Sequence, residues 1–281
     1  MEKFLEQCFV CGNSNFSLLK LISQKPKNET YFGFDKNRYK REIKKCDHCL
    51  VYNNFHNMDL DDLYNYKYNA NTYKGNIIFH FNKIMKLPYE ESDNKNRVKR
   101  IIDYFREKSV ALERISLLDV GSGLCVFPAE AIKHFATVSC IDVDQITIDH
   151  AKNNVGVHEA IKGNFKDIEL NKKYDLITFN KVLEHIPDPS DLLIKARDLL
   201  TENGIIYIEL PDGETSSEQG GFLDREEFFI EHYTIFNIPS VKFLAKSAKL
   251  SCVVLNAIHE PSDKYTIYSF MEKDATYGIK K

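Results

Sequence analysis

The segment LDVGSGLC, residues 118–125, is the sequence feature from which the fold of this chain is most directly predicted. An apolar run, ISLLDV at 115–120, leads into it, and a helical pattern, FPAEAIKHFA at 127–136, follows it. Glycines at Gly121 and Gly123 let a ligand approach the backbone closely where a strand turns into a helix. The segment therefore predicts the first strand, the ligand-binding turn and the first helix of a parallel α/β sheet.

Strands and helices continue to alternate toward the end of the chain. Further strands are predicted in TVSCIDVD (137–144), HEAIKGN (158–164), KYDLITFN (173–180) and GIIYIEL (204–210). Gly204 is expected to close the helix in DPSDLLIKARDLL (188–200). The runs SCVVLNAI (251–258) and KYTIYSFM (264–271) are expected to pair as an antiparallel hairpin. This alternation predicts a mostly parallel sheet with right-handed crossovers.

An acidic residue stands where a nucleoside would need it. Asp142 ends the second predicted strand, 19 residues after Gly123, and such an acid accepts hydrogen bonds from a ribose diol. A dinucleotide-binding loop would place a third glycine at position 126, which is Val126. Each residue alone also suits a plain turn or a helix cap. Their joint order indicates a nucleoside ligand.

Six segments together resemble class I S-adenosylmethionine (SAM)-dependent methyltransferases: LDVGSGLC, CIDVD (140–144), GNF (163–165), YDLITFNKVLEHIPDP (174–189), LLTENGIIYIELPD (199–212) and EHYTIF (231–236). The resemblance covers residues 116–250. It implies a Rossmann-like α/β fold with a seven-stranded sheet. The residues that it assigns to SAM are Asp119, Gly121, Ser122, Gly123, Asp142, Val143, Asn164, Phe165 and Asn180.

Four cysteines form two C-x-x-C pairs near the front of the chain: Cys8, Cys11, Cys46 and Cys49. Two such turns can complete a closed tetrahedral zinc site, which holds structure and leaves no position for chemistry. Four thiols without metal, or two local disulfides, are the alternative. The long gap between the pairs predicts an inserted hairpin around residues 24–38. The pattern resembles the zinc-binding front domain of some sugar and antibiotic methyltransferases.

Two histidines are candidates for a general base. His185 follows the fourth predicted strand, and His232 follows the fifth after a long stretch, residues 212–230, that we expect to act as a lid. Either can deprotonate an acceptor near neutral pH, and either can instead be structural. KVLEHI resembles the E-x-x-E-H loop of ubiquinone-biosynthesis O-methyltransferases, which is associated with a divalent ion. Lys181 replaces the first acid, so no catalytic metal is predicted.

The sequence thus predicts three parts: a zinc ribbon at 1–57, a helical segment at 58–115 and a methyltransferase domain at 116–281. In the helical segment, an apolar stripe through Val98, Ile101, Ile102 and Phe105 has helical spacing. Tyrosines at 64, 66, 68 and 73 are expected to pack in helices, with direct ligand contact as the alternative.

Composition bounds the partners. Residues 1–116 carry a net charge of +6 and residues 117–281 carry −9. The basic front favours an anionic small molecule such as a sugar nucleotide, with solvated surface charge that binds no ligand as the alternative. No membrane span or secretory signal is predicted, which favours the cytoplasm. The expected activity is O-methylation of a sugar, sugar nucleotide or related metabolite. N- or C-methylation, RNA methylation through the zinc ribbon, and a non-catalytic SAM- or nucleotide-binding module are the alternatives.

Overall fold

The computed structural model describes residues 6–31, 39–56, 58, 76–219 and 225–275. The strands of these residues are β1 Phe16–Ile22, β2 Arg41–Cys46, β3 Tyr52–His56, β4 Ser116–Val120, β5 Thr137–Asp142, β6 Glu159–Lys162, β7 Tyr174–Asn180, β8 Leu200–Pro211, β9 Thr234–Ile235, β10 Leu250–His259 and β11 Tyr265–Lys273. The helices are α1 Ile77–Met85, α2 Asp93–Glu107, α3 Val126–Ala131, α4 Gln145–His150, α5 Pro189–Leu199, α6 Gly213–Glu218 and α7 Ile238–Ser247. Among these helices, none combines the length and apolar character that a membrane span requires.

The larger sheet has seven strands in the order β10-β11-β8-β7-β4-β5-β6. β6, β5, β4, β7 and β8 are parallel, and β11 runs antiparallel to both β8 and β10. This confirms the predicted Rossmann-like α/β sheet and its C-terminal hairpin. The carboxyl ends of the parallel strands meet at one edge, where ligands bind in open α/β sheets.

Apolar cores cover both faces of this sheet. Neighbouring residues of β4 point to opposite faces, so Leu117 packs with α2 while Leu118 packs with α5 and α7. The predicted stripe on α2 is buried, and the Ser92 hydroxyl caps this helix by accepting from the backbone N–H of Lys95 at 3.2 Å. α2 therefore lies against the sheet, where its polar residues Arg97 and Arg100 contact Glu209 of β8.

The predicted role of Gly204 is wrong. α5 ends at Leu199, and Gly204 lies within β8. A Cβ at Gly204 would lie 2.9 Å from the carbonyl oxygen of Tyr174, so glycine is needed for close strand packing. Glycine is therefore present because two backbones approach closely here. The sequence alone does not distinguish such a glycine from one that ends a helix.

The smaller sheet has the order β1-β2-β3-β9, with antiparallel pairs throughout. Its first three strands come from the front of the chain, as predicted, but β9 follows β8 by more than twenty residues. Across the described part of the predicted inserted hairpin, residues 24–31, there is a turn and no strand. In this smaller sheet, called the front sheet below, Ile22, Ile43 and Tyr52 pack with Phe228 and Ile230 in a core of their own. The cysteine turns beside it join the apolar core of the larger sheet.

Candidate functional site

The turn after β4 is left-handed at both predicted glycines. φ is +72° at Gly121 and +48° at Gly123, a region that residues with side chains rarely adopt. A Cβ on Gly121 would lie 2.7 Å from Cγ2 of Val182. The turn thus requires glycine for its conformation and for close packing against the loop that follows β7.

Asp142, at the end of β5, faces this turn. Its Oδ2 accepts from the backbone N–H of Gly123 at 3.0 Å, and its Oδ1 accepts from the N–H of Asp144 at 2.9 Å. Burial raises the pKa of Asp142. Because a carboxylate oxygen has two lone pairs, each can accept a second hydrogen bond, as a ribose diol would supply.

Asp119 lies buried beneath the turn. Its Oδ1 accepts from the Thr178 hydroxyl at 2.7 Å and from the Asn180 amide at 2.9 Å. Burial raises the pKa of Asp119 to about 6. Asn180 Oδ1 is also buried and has no hydrogen-bond partner among the described residues. Asp119 therefore orients Asn180 at the carboxyl edge of the sheet.

The remaining residues assigned to SAM differ in exposure. The Ser122 hydroxyl donates to the backbone carbonyl of Asp119 at 3.1 Å. Val143 is 43% exposed, Asn164 is also exposed, and Phe165 is buried in the core. Their contacts with a cofactor stay predictions.

The two candidate histidines lie side by side, although they are distant in the chain. Their ring centroids are 4.7 Å apart. Nδ1 of His185 is 3.0 Å from the carbonyl oxygen of Glu231, and Nδ1 of His232 is 2.9 Å from that of Glu227. Because a carbonyl oxygen only accepts, each Nδ1 carries the proton, and the lone pair of each neutral ring is on Nε2.

Burial keeps both histidines neutral at pH 7. It lowers the pKa of His232 to about 4. Burial, together with repulsion from His232 once that ring is protonated at low pH, lowers the pKa of His185 to about 3. Each ring is thus in the protonation state that a base requires, although it is a weak base.

Glu184 completes this cluster. Both its carboxylate oxygens are buried without a hydrogen-bond partner in the described part of the chain, and burial raises its pKa to about 7. One ligand atom from each of Glu184, His185 and His232 lies within 4.8 Å of the others. This arrangement offers three ligand atoms to a divalent cation. The absence of a catalytic metal stays a prediction.

A buried ionic cluster around Glu209 lies beside this edge and was not predicted from the sequence. Glu209 of β8 accepts from Arg97 Nε at 2.7 Å, from Arg100 at 2.7 Å and from the Tyr207 hydroxyl at 2.6 Å. Burial opposes ionisation of Glu209, but the two arginines lower its pKa to about 2. The available signal was a glutamate inside the apolar run IIYIEL.

Lys181 is a second residue of this edge to which the sequence assigned no role beyond replacing the first acid of the E-x-x-E-H loop. Its backbone is left-handed, with φ of +59°, and its ammonium donates to the Thr266 hydroxyl at 2.8 Å. Burial lowers the pKa of this lysine. The Lys181 side chain therefore interacts electrostatically with Glu184 and Glu209, at the position where the ubiquinone-type loop has an acid.

The four front cysteines meet at one point, as their spacing predicts. All seven cysteines lie in the described ranges and are free thiols. Cys8 and Cys49 sulfurs are 3.5 Å apart, as are those of Cys11 and Cys46, and all four lie within 4.8 Å of one another. Zn–S bonds of about 2.3 Å in a tetrahedron imply sulfurs about 3.8 Å apart. The cluster therefore fits zinc.

The sheet order, the left-handed glycine turn and the acid that faces it define the class I SAM-dependent methyltransferase fold. A family described as a methyltransferase domain matches residues 89–253. Because the match covers more than half of the chain, the chain belongs to this family.

Curated relatives match a shorter region. A ubiquinone biosynthesis O-methyltransferase of Coxiella burnetii is 31% identical over 106 residues, which are 36% of this chain and 45% of the relative. The mitochondrial ubiquinone biosynthesis O-methyltransferase of Schizosaccharomyces pombe is 24% identical over 148 residues, 47% of this chain and 54% of the relative. The chain spans about half the length of these relatives.

Solved structures share the fold at low sequence identity. Magnesium protoporphyrin IX methyltransferase from Synechocystis PCC 6803, with bound S-adenosylhomocysteine (SAH), aligns with a TM-score of 0.56 and 12% identity. It covers 76% of this chain and 100% of that protein. A SAM-dependent methyltransferase from Clostridium acetobutylicum aligns with a TM-score of 0.51 and 13% identity, over 73% and 98% of the two chains.

Proposed function

We propose that this protein transfers the methyl group of SAM to a hydroxyl oxygen of a small polar acceptor. The contact of Gly121 with Val182 carries the proposal. It places the loop bearing Glu184 and His185 against the turn that would hold SAM. The cofactor site and the candidate bases therefore share one edge.

The reaction needs little beyond positioning and removal of one proton. When bound, SAM would supply its methyl group to an acceptor oxygen and would leave as SAH. The hydroxyl proton passes to Nε2 of His185 or His232. Holding the oxygen near the methyl group supplies most of the rate enhancement, and the base adds about 10²–10⁴-fold.

A sugar or sugar nucleotide is the first acceptor that we propose. The resemblance of the front cysteines to those of sugar methyltransferases supports it, as does the net charge of +6 over residues 1–116. Lys181 adds a hydrogen-bond donor at the same edge.

A phenol is the second candidate acceptor, and the low pKa of the histidines favours it. A phenol has a pKa of about 10 and is a far stronger acid than a sugar hydroxyl. The pKa values of His185 and His232 are about 3 and about 4, so both rings are weak bases. A weak base removes the proton of a phenol more readily than the proton of a sugar hydroxyl. The matched relatives are named O-methyltransferases of ubiquinone biosynthesis, which supports methylation of an oxygen on an acceptor that is not a sugar.

We also propose that Cys8, Cys11, Cys46 and Cys49 bind one structural zinc ion. Zinc would link the two C-x-x-C turns and supply no chemistry, because four thiolates fill its coordination shell.

Labelled methyl transfer tests the activity. The purified protein is incubated with labelled SAM and either sugar nucleotides, free sugars, catechols or RNA, and the label in each product is counted. We expect label in one small-molecule class. Label in RNA alone would support the RNA methyltransferase alternative. A folded protein that binds SAH but labels nothing would support the binding-module alternative.

A further inference from the structure

The front sheet contacts the segment that carries His232. Asn54, in the middle of β3, is 1% exposed. Its side-chain amide donates to the carbonyl oxygens of Phe229 at 3.2 Å and His232 at 3.1 Å. Its backbone N–H donates to the carbonyl of Tyr233 at 3.0 Å. One asparagine thus fixes both ends of the turn before His232.

A buried ion pair contacts the same segment. Arg41 donates to Glu29 Oε2 at 2.9 Å and also to the carbonyl oxygen of Phe228. Glu29 Oε2 accepts from the backbone N–H of Ile230 at 2.8 Å. The side chains of Arg41 and Glu29 are completely buried. Each partner of the pair therefore binds the backbone of the segment.

The opposite side of the segment contacts the loop after β7. Nδ1 of His185 faces the carbonyl of Glu231, and the N–H of Tyr233 donates to the carbonyl of Glu184 at 2.8 Å. Residues 228–233 are consequently fixed between the front sheet and the loop that reaches the glycine turn. The separation of the two histidine rings depends on both contacts.

Stability alone does not account for this choice of residues. A buried ion pair is often no more stabilising than apolar residues of the same volume, because both charges lose their hydration. Here Asn54, Arg41 and Glu29 all bind backbone atoms of one segment, which fixes its position in a way that apolar packing would not.

We propose that Asn54, together with the Glu29–Arg41 pair, positions His232 for proton transfer. The role of the front sheet is then to build half of the catalytic site as well as to hold zinc. This inference rests on the proposed function.

The test compares two asparagines of the same strand. Asn53 is equally buried, but its side chain accepts from the N–H of Phe9 at 3.0 Å and donates to the carbonyl of Val51. We expect Asn54→Ala to lower kcat about 10- to 100-fold, since small displacements at a reacting centre have effects of this size. SAH affinity should change less than about threefold. Asn53→Ala should lose similar thermal stability and keep kcat within about threefold.

Nitrogen-15 NMR of the histidine rings gives a readout that needs no acceptor. We expect the His232 ring signals, assigned with His232→Gln, to shift in Asn54→Ala and to stay in place in Asn53→Ala. Unshifted His232 signals in Asn54→Ala, or an equal loss of kcat in both variants, would overturn the positioning role. If no acceptor is methylated, the proposed function fails while the ring signals still decide this inference.

A milder variant covers the case in which Asn54→Ala does not fold. Asn54→Ser keeps one hydroxyl donor in place of the amide, so it should shift the His232 signals less than Asn54→Ala does and lower kcat by about two- to tenfold. Wild-type signals and kcat in Asn54→Ser would also contradict the proposal.

Discussion

Two regions of the carboxyl edge are built in different ways. The cofactor edge, which comprises Gly121, Gly123 and Asp142, is held by backbone groups of adjacent parallel strands. The histidine edge, which comprises Glu184, His185 and His232, depends on contacts from the front sheet and from the loop after β7. Cofactor binding should therefore tolerate damage to the front of the chain, whereas chemistry should not.

Removal of zinc is expected to give the largest difference between the two regions, because it should affect the histidine edge far more than the cofactor edge. Structural zinc contributes on the order of 10 kcal/mol to the folding of small zinc domains. We expect elemental analysis to find about one zinc per chain. Chelation should lower the Tm and abolish turnover, because the front sheet supports His232. SAH affinity, measured by calorimetry, should fall by less than about threefold because sheet residues hold Asp142.

Single cysteine variants sharpen this test. Cys46→Ala should lose zinc, whereas Cys252→Ala, in β10 and outside the cluster, should retain it. Protein purified under reducing conditions without chelators that contains no zinc would rule out the metal site.

Replacing the base is expected to have the next largest effect. His185→Gln or His232→Gln, whichever removes the true base, should lower kcat by about 10²–10⁴-fold. SAH affinity should stay nearly constant, since neither ring belongs to the cofactor edge. Steady-state rates at saturating SAM give the comparison, with His134→Gln, between α3 and β5, as the control. If both variants keep near-normal kcat, neither histidine is the base.

Glu184, in the histidine edge, is expected to make the free energy of unfolding depend on pH. Burial raises its pKa to about 7 from the usual 4.5, so the folded protein holds a proton that the unfolded chain releases. Its contribution to stability is therefore complete below about pH 4.5 and is lost as pH rises to about 7. Glu184→Gln should gain roughly 1–3 kcal/mol relative to the wild type across this window.

Denaturant unfolding of both proteins at several pH values measures this difference. A difference that does not change with pH would show that Glu184 is already ionised, as a bound divalent cation would require.

The two regions also differ in how far sequence reveals them. The cofactor edge was predictable because Gly121, Gly123 and Asp142 follow their strands at fixed spacing. Alternation of strands and helices predicts a parallel sheet but not the order of its strands. The histidines were predictable as candidates from motif position. Their contact with each other was not, since it is fixed by Glu231 and Glu227 carbonyls, which any residue supplies.

Polar contacts between distant segments account for the rest. Nothing in the local pattern of Asn54 or Arg41 indicates a partner in residues 228–232, because such pairs depend on tertiary packing. The tyrosines at 64, 66, 68 and 73, and Gly220 and Gly221 of the predicted lid, lie outside the described residues. The described ends of that lid form α6 and a short 3₁₀ turn at Glu226–Phe228.

The cofactor edge provides the smallest expected effect and the most direct test, because it needs no acceptor. SAH is titrated by calorimetry into the wild-type protein and into Asp142→Ala. We expect one site per chain in the wild type and at least about tenfold weaker binding in the variant, since a lost hydrogen bond to a charged group costs about 1.5–3 kcal/mol. The Tm should stay similar. Unchanged affinity in a folded Asp142→Ala protein, or no SAH binding by the wild type, would contradict the account.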